Sequence, residues 1–222
     1  MKPKVVLFDL WMTLVFGLSE DPILTLQGML KHRKPGEPLD PEFLTKCLTT
    51  NIKDPGRFLR EVACSFDLRV PRGTVTAFKR LLDSERKAAT PYDDAHEVLK
   101  QLRLAGYRLG LISNLWPFPV HGIFKQMGLG AHFEHLIYSF EVGVRKPAGG
   151  IFEHSTRLFG VDAGDCVMIG DSLSSDIEGG LAAGMKAILI DRSGKIARLD
   201  DENAHVVRSL SDVQRLLTGA SL

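Results

Sequence analysis

The sequence has few cysteines and no long apolar run, and these two shortages exclude whole classes of protein. Its 222 residues include three cysteines, none of them in a CxxC pair. A disulfide framework or a cysteine zinc site therefore does not organise the fold, and we expect free thiols. No stretch approaches the roughly 20 apolar residues that span a bilayer, and residues 1–8 form too short an apolar run for a signal peptide. We expect a soluble, cytoplasmic protein with no membrane partner.

A charge imbalance is also missing. Lysine and arginine total 28 against 27 for aspartate and glutamate, and the formal net charge is +1. Because no block of like charge stands out either, a nucleic-acid partner is not indicated. Apolar residues make up 44% of the chain, which suffices for one large domain or one domain with a smaller insert. The oligomeric state stays open.

Three short apolar runs each stop at a polar residue, a pattern typical of buried strands. In chain order they are 5–8 before Asp9, 107–112 before Ser113, and 166–169 before Gly170 and Asp171. Further elements are helices at 93–104, 176–183 and 210–217 and strands at 185–190 and 205–207. Strands that alternate with helices of this length predict an α/β fold with a Rossmann-like parallel sheet covered on both faces.

Residues 17–87 follow a different pattern, with no convincing strand. Proline and glycine breakers separate four helix-like segments at 22–30, 41–51, 56–66 and 74–87. We therefore predict that residues 1–16 and 88–222 form the α/β core, and that residues 17–87 form a helical domain inserted after the first strand.

The polar residues that follow the strands predict a site. Ligands of an open parallel sheet bind beyond the carboxyl ends of its strands, where Asp9, Ser113 and Asp171 are expected to converge. Lys146 lies in a loop marked by glycine and proline, before a helix that starts near Gly150, so its ammonium is expected over the same edge. Two carboxylates, a hydroxyl and an ammonium suit a nucleophile, a divalent cation site and an anion cradle.

At this point the sequence resembles the haloacid dehalogenase superfamily of hydrolases over nearly all of the core. Four motifs carry the resemblance, and their order makes it far more specific than a single DxxxT. They are VVLFDLWMTL at 5–14, LGLISN at 109–114, Lys146 within VRKP, and MIGDSLSSDIEGGLAAGM at 168–185. The resemblance implies a Rossmann-like core, with residues 17–87 as a helical cap of the C1 type.

The resemblance also implies roles for the residues that meet substrate. Asp9 is implied to be the nucleophile that forms a covalent aspartyl intermediate, and Lys146 to neutralise the charge shared by Asp9 and the transferred group. Thr13, Ser113 and Asn114 are implied to bind the substrate anion. For Asn114, an N-cap beyond Pro117 is an equal alternative.

A Mg²⁺ ion is the implied cofactor. Its ligands would be Asp9, the backbone carbonyl of Trp11, Asp171 and, directly or through water, Asp176. The chemistry of the residues agrees, because carboxylates crowded at one edge repel each other unless a cation lies between them. Ser174 or Ser175 is an alternative N-cap for the helix that follows.

The sequence departs from the phosphatase pattern two residues after the nucleophile. Phosphatases of the superfamily carry a second aspartate there, which protonates the leaving oxygen, whereas this chain has Trp11 followed by Met12 in place of the usual glycine. Losing such an acid costs on the order of 10² to 10⁴ in rate. The dehalogenase branch also has an aromatic residue there, but it generally lacks an acidic residue where this chain has Asp171, and it works without Mg²⁺.

We therefore expect a Mg²⁺-dependent phosphatase that acts on a small phosphorylated metabolite through an aspartyl-phosphate. Two alternatives stay open, namely hydrolysis of a short 2-haloacid and a pseudoenzyme that binds a phosphorylated ligand or a protein partner. Glu20 and His32 are weak candidates for a substitute acid. Trp116 and Phe118 either line the pocket or only pack.

Overall fold

The computed structural model describes residues 3–17, 21–34, 36–118 and 126–219, and its centre is a six-stranded parallel sheet. A small antiparallel ribbon pairs two further short strands. In chain order the strands are β1 (Val5–Phe8), β2 (Val15–Phe16), β3 (Thr90–Pro91), β4 (Arg108–Ser113), β5 (His135–Tyr138), β6 (Cys166–Gly170), β7 (Lys186–Ile190) and β8 (Ala204–Val207). The large sheet has the order β5-β4-β1-β6-β7-β8, and the predicted parallel α/β fold is confirmed.

Helices flank the sheet, and one group of them is inserted between β2 and β3. In chain order the helices are α1 (Pro22–Met29), α2 (Pro41–Thr49), α3 (Pro55–Ser65), α4 (Thr74–Ala88), α5 (Ala95–Leu104), α6 (Ser139–Val142), α7 (Gly149–Phe159), α8 (Gly179–Ala182) and α9 (Leu210–Thr218). Helices α1–α4 and their connections are called the helical insert below. Within the described residues, no helix combines the length and the apolar character needed to cross a bilayer.

Strand β1 is apolar throughout because both faces of the sheet are covered. Val6 and Phe8 belong to the apolar cluster that includes α5 and α9, while Val5 and Leu7 belong to the cluster that includes α7. Successive side chains of a strand point to opposite faces, so each face receives two of the four. This burial explains why β1 appears in the sequence as a continuous apolar run.

Helices α1, α2 and α3 each begin with an aspartate followed by a proline. The side chains of Asp21, Asp40 and Asp54 accept hydrogen bonds from backbone N–H groups of the first turn, and proline occupies the first helical position. Both features favour a helix start, because the aspartate satisfies free N–H groups and proline has no N–H to satisfy. Local sequence therefore determines where these helices begin.

The helical insert has its own apolar cluster and is attached to the core by specific contacts. Trp116, from the loop after β4, packs into that cluster. The Ser139 hydroxyl donates to the Leu48 carbonyl at 2.7 Å, and Arg145 Nε donates to Thr45 Oγ1 at 2.8 Å. These contacts attach α2 to the start of α6 and to the loop that contains Lys146.

The structure differs from the prediction of a single helix at 176–183. A π-helical segment, Leu173–Glu178, comes first and α8 follows it. Its N-cap is Ser172, whose hydroxyl accepts from the Ser175 N–H at 3.2 Å, so the alternative of Ser174 or Ser175 as N-cap is wrong. The apolar spacing missed the true start because capping hydrogen bonds determine where a helix begins.

The aspartate caps lead to a prediction about stability. Asp54 accepts from the Arg57 N–H at 2.7 Å. We expect Asp54→Ala to lower the free energy of unfolding by about 1 kcal/mol, because the first turn loses this acceptor. Denaturant unfolding measures the change. Asp54→Asn is the control and should keep most of the stability, so an equal loss in both variants would contradict a capping role.

Candidate active site

The sheet brings the predicted polar residues to one edge. Asp9 follows β1, Ser113 ends β4 and Asp171 follows β6, and β1 lies between the other two strands. The Ser113 hydroxyl donates to Asp9 Oδ1 at 2.9 Å, and Lys146 Nζ donates to the same oxygen at 2.7 Å. Residues that are far apart in the sequence therefore converge on the carboxylate of Asp9, whose side chain is only 11% exposed.

Lys146 is a buried ammonium with three acceptors around it. Its side chain is 1% exposed, and Nζ contacts Asp9 Oδ1 at 2.7 Å, Asp176 Oδ1 at 2.6 Å and the Ile112 carbonyl at 2.8 Å. Burial alone lowers the pKa of Lys146, but the two carboxylates outweigh burial and hold that pKa above its usual value. Lys146 is therefore positively charged at neutral pH.

Burial has the opposite effect on Asp9, since it raises the pKa of the carboxyl group, and Asp176 adds to the increase. Lys146 and the Ser113 hydroxyl act against it by stabilising the charged form. The ionised state of Asp9 therefore depends on these two contacts.

The side-chain amide of Asn114 forms hydrogen bonds with both backbone groups of Lys146, its N–H and its carbonyl. Its Nδ2 donates to the Lys146 carbonyl at 3.0 Å, and its Oδ1 accepts from the Lys146 N–H at 2.8 Å. The side chain thus orients the lysine loop toward Asp9. The alternative role as an N-cap beyond Pro117 concerns residues outside those described.

Asp9, Asp171 and Asp176 form an acidic group in which one oxygen from each carboxylate lies within 4.8 Å of the others. Asp176, 1% exposed, also accepts from the Ser172 N–H through Oδ2 at 3.1 Å. Gly170 makes this approach possible, because a Cβ at that position would lie 2.1 Å from Asp176 Oδ2. Three carboxylates face a single ammonium, so the site carries a surplus of negative charge.

The effect of that surplus is seen at Asp171. Its side chain remains accessible to solvent, but partial desolvation, together with the charges of Asp9 and Asp176, raises its pKa to about 7. Carboxylate oxygens are the donors that a hard divalent cation such as Mg²⁺ prefers, and such a cation would offset the repulsion. The donor set of the site therefore fits Mg²⁺.

The loop after Asp9 contains Thr13, Trp11 and Met12. Thr13 is fully buried, and its hydroxyl has no hydrogen-bond partner among the described residues. Met12 has a φ of 58°, the left-handed region that favours glycine, which agrees with the glycine usual at this position of the motif. Trp11 is half-buried against the main core cluster and also lines a cavity, so it both packs and faces the site.

A cavity of about 390 Å³ lies between this loop, the loop after β4 and the helical insert. Most of its wall is apolar. Its lining residues are Trp11, Met12, Asp21, Pro22, Ile23, Leu44, Leu48, Glu85, Asn114, Leu115 and Trp116. Trp116 therefore lines the cavity and also packs in the insert, whereas Phe118 belongs to the apolar cluster of the insert.

Glu85, on α4, is a buried carboxyl group that the sequence analysis missed. It is 4% exposed, and Trp116 Nε1 donates to its Oε2 at 3.2 Å. Burial raises its pKa from 4.5 to about 8; Trp116 opposes the increase and the charge of Asp21 adds to it. A signal existed in the sequence, because Glu85 continues the buried stripe of Phe78 and Leu82 along α4.

Of the two substitute acids that the sequence suggested, His32 can be located, and it lies away from the cavity. His32 Nε2 pairs with Asp40 Oδ2 at 2.8 Å, and its ring stacks on Phe43, so His32 is part of the insert packing and does not line the cavity. Glu20 lies outside the described residues.

The chain is thus an α/β protein with a lysine-held aspartate at the carboxyl edge of its parallel sheet. The chain belongs to the haloacid dehalogenase-like hydrolases, because the sequence model of that family matches residues 3–184. A relative from Pyrococcus abyssi, a glyceraldehyde 3-phosphate phosphatase, is 31% identical over 196 residues, which are 83% of this chain and 80% of the relative.

Solved structures agree with this assignment. A phosphatase of the same superfamily from Thermococcus onnurineus is 28% identical, has a TM-score of 0.64, and the match covers 99% of this chain and 100% of that one. A 2-haloacid dehalogenase from Pseudomonas syringae shares the fold, with a TM-score of 0.68 at 22% identity over 98% of this chain and 99% of the other. The relatives confirm a hydrolase and favour phosphatase over dehalogenase activity.

Glu85 leads to a prediction about pH. Because its pKa rises from 4.5 to about 8 on folding, the unfolded state loses this proton first, and its burial destabilises the protein progressively as the pH rises between those values. Glu85→Gln lacks this penalty. We therefore expect the melting temperature of Glu85→Gln, relative to that of the parent, to increase as the pH is raised from 5 to 8.

The matched control for this titration is Glu42→Gln, which changes an exposed carboxylate at the start of α2. Its difference from the parent should stay constant between pH 5 and pH 8. A constant difference for Glu85→Gln as well would contradict the raised pKa of Glu85.

Proposed function

We propose that the protein is a Mg²⁺-dependent phosphatase that acts on a small phosphorylated metabolite through an aspartyl-phosphate on Asp9. The observation that carries the proposal is the acidic group of Asp9, Asp171 and Asp176 beside a buried lysine. A halide-releasing site has no need of three carboxylates. The Pyrococcus abyssi relative, named for glyceraldehyde 3-phosphate, gives further support for a small phosphorylated substrate.

The first step in this proposal is attack by Asp9 on phosphorus. Both hydrogen bonds from Ser113 and Lys146 fall on Oδ1, which leaves the other carboxylate oxygen as the attacking atom. The bond between phosphorus and the leaving oxygen breaks as the aspartyl-phosphate forms. Water then attacks phosphorus, releases phosphate and restores the Asp9 carboxylate. Lys146 balances negative charge throughout, because it stays an ammonium against two carboxylates.

The remaining site residues bind and orient. The unpartnered hydroxyl of Thr13 is suited to donate to a phosphoryl oxygen. Ser113 is within hydrogen-bond distance of Asp9 and would contact the same group. Asn114 was predicted to bind substrate; its contacts support a role through Lys146, whose loop it holds. Residues 17–87 would act as the cap over the core formed by residues 1–16 and 88–222.

Asp9, the Trp11 backbone carbonyl and Asp171 would hold Mg²⁺, with Asp176 as a ligand either directly or through water. When bound, the ion supplies positive charge next to the phosphoryl oxygens. It would also relieve the repulsion that raises the pKa of Asp171.

Cation binding is tested by thermal unfolding. We expect Mg²⁺ or Mn²⁺ to raise the melting temperature, because a ligand that binds only the folded state stabilises it by mass action. Asp171→Asn should lose most of this increase. Asp162→Asn, which changes an exposed aspartate elsewhere on the core, is the control and should respond as the parent does. An unchanged melting temperature in the parent would exclude the metal site and favour the dehalogenase alternative.

The residue at position 11 leads to a prediction about substrates. Since Trp11 cannot protonate a leaving oxygen, we expect aryl and acyl phosphates to react about 10² to 10⁴ times faster than alkyl phosphates. Steady-state rates of phosphate release measure the difference. Trp11→Asp combined with Met12→Gly should reduce it by raising turnover of the alkyl esters, because both the acid and the loop freedom return.

Asp9→Asn sets the background for these assays, and we expect it to abolish hydrolysis. Activity in that variant would show that Asp9 is not the nucleophile. Equal rates for aryl and alkyl esters in the parent would contradict the prediction that the protein lacks an acid to protonate the leaving oxygen. Trp11 also favours a second function, the hydrolysis of 2-haloacids. Halide release without turnover of any phosphate ester would establish that function instead.

A further inference from the structure

The cavity adjoins the reacting groups through two loops. Trp11 and Met12, which are two and three residues after Asp9 in the sequence, line the cavity. Asn114, the residue after Ser113, lines it as well. The opposite wall comes from the helical insert, through Leu44, Leu48 and other residues of α1, α2 and α4. A substrate with its phosphoryl group at Asp9 would therefore place its organic group in this space. The volume of about 390 Å³ suits a small organic group.

Among the residues that the structure describes, no cationic side chain lines the cavity. Among its described lining residues, eight are apolar and the other three are Asp21, Glu85 and Asn114, with no lysine, arginine or histidine. An anionic group that enters such a space loses its hydration and gains no positive partner. The acidic side chains add repulsion whenever they are ionised. The cavity is therefore suited to an uncharged organic group.

Glu85 is the polar side chain best placed to select that group. Asp21 Oδ1 already accepts a hydrogen bond from the first turn of α1. Both Nδ2 and Oδ1 of Asn114 already form hydrogen bonds with the backbone of Lys146. In Glu85, by contrast, the hydrogen bond from Trp116 engages Oε2 and not Oε1. Because the indole N–H already donates to Oε2, a proton on the neutral acid would reside on Oε1, which makes that oxygen a hydrogen-bond donor.

We propose that the cavity selects phosphate monoesters whose organic group is uncharged and largely apolar, and that Glu85 determines specificity by donating a hydrogen bond to a hydroxyl or carbonyl oxygen on that group. This inference rests on the proposed phosphatase function and adds the class of substrate to it. Glu85 binds the part of the substrate remote from phosphorus, so it acts on affinity and not on the bond that breaks.

Three aryl phosphates test the inference in the parent protein: phenyl phosphate, its hydroxymethyl derivative and its carboxylate derivative. We expect kcat/KM for the carboxylate ester to be at least about 100-fold below that for phenyl phosphate, because the described lining residues offer the carboxylate no cation. Equal kcat/KM for these two esters would overturn the substrate class while leaving the phosphatase function intact. No turnover of any ester would overturn both.

Two variants then test Glu85 itself. In Glu85→Leu we expect KM for the hydroxymethyl ester to rise about tenfold relative to the parent, with KM for phenyl phosphate and both kcat values little changed. Glu85→Gln keeps a hydrogen-bond donor and should stay close to the parent. Glu42→Gln, an exposed site on the same insert, is the control.

The outcomes distinguish a specificity residue from a merely structural one. Equal losses for the two neutral esters in Glu85→Leu, or a fall in kcat alone, would overturn the assignment of Glu85. Thermal unfolding checks that each variant is folded. If Glu85→Leu does not fold, Glu85→Met, which also removes the donor, takes its place. A rise in KM confined to the hydroxymethyl ester then supports the assignment, and the absence of a selective change overturns it.

Discussion

The buried ammonium of Lys146 is the interaction on which the rest of the site depends. Removing a positive charge from water is costly, and here two carboxylates and a backbone carbonyl compensate it at 2.6 to 2.8 Å. To meet those acceptors the chain must bring the ends of β1 and β4, the lysine loop and the π-helical segment to one point. The amide of Asn114 fixes the loop, and the absence of a side chain at Gly170 admits Asp176.

Negative charge is left over at this point, and it explains the chemistry that the site supports. Three carboxylates lie near one lysine, and desolvation together with the charges of Asp9 and Asp176 raises the pKa of Asp171. A divalent cation would offset this surplus of negative charge, and the approach of an anionic substrate would then meet less repulsion. Trp11 stands where phosphatases of the superfamily carry a proton-transferring aspartate, so in the proposed reaction a poor leaving group would depart slowly.

Under the proposed function, the helical insert would contribute substrate selection. Its helices close a mostly apolar space beside Asp9, and α4 contributes a carboxyl group that burial keeps largely protonated near neutral pH. In the proposed function the core would provide charge for the reacting group, while the insert would provide apolar surface and one hydrogen-bonding group for the rest of the substrate. Trp116 links the two regions, because it packs among the insert residues and donates to Glu85.

Elements governed by local chemistry were predictable from sequence. The buried strands appear as apolar runs, and the Asp–Pro pairs mark the starts of α1 to α3. The sequence does not predict strand β5, because this half-buried strand at the edge of the sheet has no clear run of apolar residues. The motif residues around Asp9 could be named in advance, but only tertiary packing decided that Asn114 serves Lys146 and that Glu85 reaches the cavity. A residue's neighbours along the chain set its secondary structure, whereas burial and partners across the fold set its protonation and its role.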